Sequence, residues 1–259
     1  MPTGAAALQP PPASPERPPE IAATASSAHV DAAAGPTVSV IMAAHNEASA
    51  IASVVAAAVK SDPRILEVIV VDDGSHDDTA GIAQASGARV LRLPHNRGKG
   101  RAMQVGIDAA RGDVMVFIDA DGQDDPAEIP VLLDRLTPGT DMVIGSRFMG
   151  YFRPGAITRV NRIGTQLLTF SVRVLFGAHT TDCLAGFRAV RRSALDRIQL
   201  RADGYDIEVD MLLRILRSGG TVADVPVSRS PRPFGRSGLS NVKDGARILA
   251  RILLIRVAG

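Results

Sequence analysis

The sequence contains no tryptophan, two tyrosines and seven phenylalanines, so aromatic residues make up only 3% of it. Single-stranded nucleic acid binding needs stacking platforms, and a carbohydrate-binding module needs exposed aromatic faces; this scarcity argues against both. A single cysteine, Cys183, rules out an intrachain disulfide and any multi-cysteine metal site, and it fits a reducing compartment. Arg or Lys interrupts every apolar stretch before it reaches the roughly 18 residues of a membrane span. The N-terminus lacks the charged-then-apolar layout of a secretory signal, so a cytoplasmic location is expected. Two nucleotide loops are missing as well. Leu93 and Pro94 stand where GxxxxGK would place its first glycine, and no GxGxxG follows the first predicted strand, which disfavours an NTPase and a dinucleotide dehydrogenase.

What remains is an ordinary globular composition. The 259 residues are 46% hydrophobic and 22% charged, enough for one large domain or two small ones with a buried core. The formal charge of +2 is unevenly spread: from Arg229 onward seven cations face Asp244 alone, giving that stretch +6 and the rest −4. Such a basic end seeks anions, either substrate phosphates or an anionic membrane surface.

Residues 1–36 hold eight of the 17 prolines among Ala, Ser and Thr, and a segment of this kind cannot offset its ordering entropy by burial; a disordered tail is expected. From Val38 strands and helices alternate. Apolar runs predict strands at Val38 to Ala43, Leu66 to Val71, Arg89 to Leu93 and Val114 to Ile118, with a fifth opening at Met142 to Ile144. Helical spacing covers Ala48 to Lys60, Thr79 to Ser86 and Arg101 to Ala110. Asp125, Pro126 and Glu128 supply the cap, first-turn proline and acid of another helix. This spacing specifies an α/β fold, a parallel sheet with helices on both faces, whose ligands bind at the carboxyl ends of the strands.

Polar clusters follow those ends: His45-Asn46-Glu47, Asp72-Asp73-Gly74-Ser75, Asp119-Ala120-Asp121-Gly122-Gln123 and Gly145-Ser146-Arg147. Each alone reads as turn chemistry. Together they mark the binding edge. Asp119, Asp121 and Gln123 offer hard oxygen ligands without imidazole or thiolate, which suits Mg²⁺ or Mn²⁺ held jointly with a nucleotide diphosphate. In Asn96-Arg97-Gly98-Lys99-Gly100 the glycines permit close backbone approach to a phosphate or sugar, and Lys99 brings a positive charge.

The ordered series VSVIMAAHNE, VIVVDDGSHDDT, NRGKG, FIDADGQDDP, VIGSRF, TDCLAGFRAV and PRPFGRSGLS resembles family-2 glycosyltransferases of the GT-A fold, within them the dolichyl-phosphate mannose synthase and polyprenyl-phosphate glycosyltransferase group. The resemblance runs from Val38 to the C-terminus. It implies a nucleotide-sugar site of Ala43, His45, Glu47, Asp73, Lys99, Asp119, Ala120 and Arg232. It also implies a metal held by Asp119, Asp121 and Gln123, and an acceptor phosphate contacted by Arg147. Asp119, Asp121 and Arg147 would then be the catalytic set, and the product would have inverted configuration. The chain departs from the family pattern at Ala43, where Pro is usual, at Ala185 for Ser and at Gly238 for Lys; the last removes a cation near the phosphates, so that either Arg236 compensates or the phosphate contact there is weaker.

Ile157 to Phe176 keeps a helical apolar period interleaved with Arg159, Arg162 and Arg173. Arg159 and Arg162 either are solvated or join Arg147 in a clamp for a lipid phosphate, where the planar guanidinium binds two oxygens at once. Val242 to Val257 pairs an apolar face with Lys243, Arg247, Arg251 and Arg256, which reads as a helix lying on a membrane or packed on protein. The resulting division is a tail over 1–36, a catalytic domain over 37–239 and a basic amphipathic helix over 240–259. The expected reaction moves a hexose from a UDP- or GDP-sugar to a polyprenyl phosphate at the cytoplasmic membrane face, with no nucleic acid involved. Two alternatives remain open: a hydroxyl acceptor with Asp182, Asp206 or Glu208 as base, and a nucleotide-sugar-binding subunit without catalysis.

Overall fold

The computed structural model describes residues 35–234 and 241–257. Nearly all of the expected tail, and Arg236 and Gly238, lie outside the described residues. The elements run β1 (Val38–Ala44), α1 (Ile51–Ser61), β2 (Ile65–Asp72), α2 (Thr79–Ala85), β3 (Arg89–Arg92), α3 (Lys99–Ala109), β4 (Val114–Phe117) and α4 (Ile129–Arg135). There follow β5 (Met142–Phe152), α5 (Arg159–Phe176), β6 (Arg188–Arg191), α6 (Arg192–Leu195), α7 (Ile207–Arg217), β7 (Val222–Arg229) and α8 (Asn241–Val257). Among the described residues seven strands form one sheet in the order β3-β2-β1-β4-β6-β5-β7.

β1, between β2 and β4, is buried on both faces, as its unbroken run VSVIMAA requires. Its side chains alternate between two cores. Ile41 joins Ile69, Val71 and Phe117 against α3 and α7, while Val40 and Met42 join Val68, Val70 and Val116 against α1 and α4. Gly106 lets α3 lie directly on β1, since a Cβ there would stand 2.5 Å from the Ile41 methyl. Every pairing is parallel except those of β6, which runs against both β4 and β5. The carboxyl ends of β1, β2, β4 and β5 therefore share one edge.

Three differences from the sequence reading bear on the site. α3 starts at Lys99 rather than Arg101, which puts the lysine in the first helical turn. Asp125 does cap, accepting from the Ala127 N–H at 3.0 Å, but the residues it caps form a single 3₁₀ turn before α4 begins at Ile129. β5 continues to Phe152, so Gly145-Ser146-Arg147 lies within the strand instead of after it; its pairing with β7 shifts register between Ser146 and Tyr151. α8 lays Ile248, Ile252 and Ile255 into the core beside α7. No helix among the described residues is long and apolar enough to cross a membrane.

Candidate active site

The Asn-Glu turn after β1 is shaped by the strand beside it. Asn46 takes a left-handed conformation (φ 57°), its N–H donates to Ser75 Oγ at 2.9 Å, and its Oδ1 accepts from the His76 N–H at 2.8 Å. His45 Nδ1 lies 2.9 Å from the Asp73 carbonyl; a carbonyl only accepts, so the proton sits on Nδ1 and Nε2 is the acceptor. Asp73 is buried, and its two oxygens accept the backbone N–H groups of Arg97 at 2.8 Å and Gly98 at 2.9 Å. It thus shapes the NRGKG loop. Between these turns opens a cleft of about 570 Å³ lined by His45, His76, Arg92, His95 and Asn96, a size that suits a small-molecule ligand.

Lys99 bridges Asp119 and Glu208, with Nζ 2.6 Å from an oxygen of each. Burial pushes the lysine's pKa down, but the two carboxylates overcome this and hold it above its ordinary value. Burial likewise works against ionised Asp119, and Lys99 and Arg229 reverse it, keeping that carboxyl below the usual range. A Cβ at position 186 would come within 3.0 Å of Asp119 Oδ1, so Gly186 leaves the room this carboxylate occupies. Asp121 behaves oppositely: burial, then repulsion from Asp119, raise its pKa. Glu47 is also raised, by burial against the pull of Arg232.

Arg232 joins the first and third motifs, donating to Asp121 at 3.1 Å and to Glu47. Arg229, at the end of β7, meets Asp124 at 2.5 Å, Asp119 at 3.7 Å and Asp121 at 4.0 Å. The sequence reading counted Arg229 only among the cations of the basic C-terminal stretch and gave it no place beside Asp119 and Asp121, because it closes a strand rather than following one in a polar cluster. It also offered Glu208 as a base, not as a partner of Lys99. The side chain of Gln123, expected as a metal ligand, accepts from Arg229 at 3.0 Å and donates to the Ser230 carbonyl at 3.0 Å. Ala43 and Ala120 flank these groups at the ends of β1 and β4, Ala43 half-buried and Ala120 buried.

The residues are suited to a divalent cation on charge grounds. Glu47, Asp119, Asp121, Asp124 and Glu208 share Lys99, Arg229 and Arg232, so five carboxylates meet three cations. Asp121 is a hard oxygen donor whose carboxyl is raised and whose closest cation is the half-buried Arg232, although among the described residues no three His, Cys, Asp or Glu side chains converge as a ready-made ligand set.

The expected clamp of Arg147, Arg159 and Arg162 is not assembled. Arg147 points inward and grips buried Asp182 with two nitrogens, at 2.7 and 2.8 Å. Successive strand residues face opposite sides, and Arg162 lies over the rings of Phe148 and Phe152, 6.0 and 5.5 Å from their centroids. Arg159 is exposed.

A doubly wound sheet carrying a ligand-sized cleft, buried Asp121 beside half-buried Asp119 and a surrounding set of cations at one edge fits a transferase acting on a nucleotide-activated group. The chain belongs to glycosyl transferase family 2, whose model matches residues 39–199. It is 33% identical over 219 residues to a polyprenol monophosphomannose synthase of Mycolicibacterium smegmatis, covering 78% of this chain and 80% of that protein. It is also 33% identical to glycosyltransferase AglJ of Haloferax volcanii, covering 80% of this chain and 68% of that protein. Among solved structures, glucosyl-3-phosphoglycerate synthase from Mycobacterium tuberculosis, in complex with Mn²⁺, uridine diphosphate and phosphoglyceric acid, superposes with a TM-score of 0.69 at 30% identity, covering 86% of this chain and 80% of that one. The fold is the GT-A fold, and the protein is a glycosyltransferase.

Proposed function

We propose that the protein transfers a hexose from a UDP- or GDP-sugar to a polyprenyl phosphate presented at the cytoplasmic face of a membrane, with inversion at the sugar carbon. The observation that carries this reading is the state of the three carboxylates a hydroxyl acceptor would need as base. Asp182 is gripped by Arg147, Asp206 by Arg251 at 2.8 Å and Glu208 by Lys99, and all three are buried. A phosphate acceptor is already ionised and needs no such base. Similarity to the mannose synthase supports a lipid phosphate.

The nucleoside occupies the cleft beside His45, and the diphosphate lies toward Lys99, Arg229 and Arg232. Asp121, beside Asp119, holds a divalent Mg²⁺ or Mn²⁺, which when bound stabilises charge on the departing diphosphate. Lys99 fixes Asp119 in place, and Asp73 fixes the loop from which Lys99 rises. Arg147 is the cation that meets the acceptor phosphate, drawing on the guanidinium edge that Asp182 leaves uncovered.

The solved relatives containing phosphoglyceric acid favour a second reading, a small phosphate-bearing acceptor in place of a lipid. Purified protein with Mn²⁺, a panel of nucleotide sugars and either a short polyprenyl phosphate or phosphoglyceric acid, followed by mass spectrometry, separates the two. A glycosylated lipid phosphate is expected; product only with phosphoglyceric acid overturns the lipid assignment. Arg147→Ala should raise the acceptor KM or lower kcat, a loss of about 1.5–3 kcal/mol in kcat/KM, with donor affinity nearly unchanged.

A further inference from the structure

α5 is an amphipathic helix mounted the wrong way round for a core helix. It is well terminated, with Thr158 accepting from the Asn161 N–H at 3.2 Å and Gly177 left-handed at its end. The face it buries is small and partly polar: Thr165, Thr169 and Val172. Its bulky apolar residues point outward. Val160, Ile163, Leu167, Phe170 and Val174 are each between 58% and 66% exposed. They recur at alternating steps of three and four, and at about 100° per residue they form one stripe opposite the buried face. With 18 residues the helix is about 27 Å long, so the stripe is continuous over a length that scattered surface leucines never make.

α8 packs against α5 and carries exposed apolar residues of its own. While Ile248, Ile252 and Ile255 are buried, Leu253, Leu254 and Val257 are exposed. Around the apolar residues stand exposed Arg159, Arg162, Arg173, Lys243, Arg247 and Arg256. α5 contains no acid, and the one acid of α8, Asp244, is buried.

We propose that the outward faces of α5 and α8 together form a docking surface for an anionic lipid bilayer. The charge decides the occupant. A second copy of the chain would bring two faces of the same sign together, whereas anionic headgroups neutralise the basic rim as the stripe enters the acyl boundary. The surface also leads to the site: α5 follows directly on β5, which carries Arg147, and Arg162 of α5 rests on Phe148 and Phe152 of that strand. The proposal builds on the membrane-borne acceptor above, but its evidence is separate from it.

The test is flotation of the full chain with vesicles of phosphatidylglycerol and phosphatidylcholine, compared with phosphatidylcholine alone. Binding to the anionic vesicles is expected, falling in about 0.5 M salt. Leu167→Glu with Phe170→Glu should weaken it roughly tenfold or more, and Arg173→Glu should weaken it less. Leu66→Glu, an equally exposed apolar site on β2, should leave it unchanged; circular dichroism melts of all variants should match the parent. Absence of binding, or binding indifferent to the stripe variants, overturns the docking surface. A dimer dissolved by the same substitutions shows that the stripe meets a second copy instead. Transfer to a short water-soluble isoprenyl phosphate keeps the questions apart: variants that lose vesicles but retain this activity indict only the docking step. Vesicle binding without any lipid-phosphate product leaves the surface standing and removes the acceptor assignment.

Discussion

At Lys99 one ammonium serves two carboxylates, so its removal leaves buried Glu208 without its ion-pair partner and half-buried Asp119 with Arg229 at 3.7 Å. Lys99→Met should cost about 3–5 kcal/mol of stability, read from urea unfolding, because a buried charge that loses its partner keeps its desolvation penalty. Asp121 should behave oppositely. Its pKa is raised, so ionisation works against folding near neutral pH, and Asp121→Asn should leave the melting temperature unchanged or higher while abolishing transfer. A fall of several degrees in this variant would show that Asp121 holds the fold rather than the reaction. These carboxylates were legible in the sequence because they follow an apolar strand and exceed what a turn or helix cap requires. Arg229 and the Glu208 contact were not legible. Both depend on partners about a hundred residues away, Asp124 for Arg229 and Lys99 for Glu208, and spacing along a chain carries no information about such meetings.

Helices and strands show the same division between what a pattern states and what packing decides. The pattern of α8 is equally good for a lipid surface and for a protein groove, and Arg251 looked like one more surface cation. In the fold Arg251 is turned inward to Asp206 at 2.8 Å and Asp210 at 3.7 Å, tying α8 to α7. Arg251→Ala should therefore lower stability by about 3 kcal/mol and expose α8 to protease, whereas Arg247→Ala should change neither. β6 reads Arg-Ala-Val-Arg, and its one β-branched residue beside an alanine, a weak strand former, makes no apolar run to announce it. Away from the site edge, loops and strand starts are held by low-pKa carboxylates. Arg64 hydrogen bonds depress Asp62; burial raises Glu67, but Arg111 and Ser39 bring it below its usual value; Thr37 lowers Asp113. A carboxyl lowered in the fold stabilises above its unfolded pKa and loses that contribution as pH falls. Urea midpoints should drop below about pH 4.5 as these lowered carboxyls protonate, with a smaller drop in Glu67→Gln. A flat profile to about pH 3 would contradict these assignments.

On the scale of the whole molecule, the doubly wound architecture was readable because each strand is bounded by turn chemistry and each helix carries its own apolar period. The reversed strand inside it was not, and that strand has a lasting effect. β6 stands between β4 and β5, holding the chains that carry Asp119 and Arg147 two strand spacings apart, about 9.6 Å. The spacing is set by backbone hydrogen bonds up to Phe117 on β4 and Ile144 on β5, two and three residues short of Asp119 and Arg147. Divergence within such a frame is confined to what hangs from the strand ends: loops can be exchanged to admit a different ligand, while the spacing of β4 and β5 is inherited unchanged.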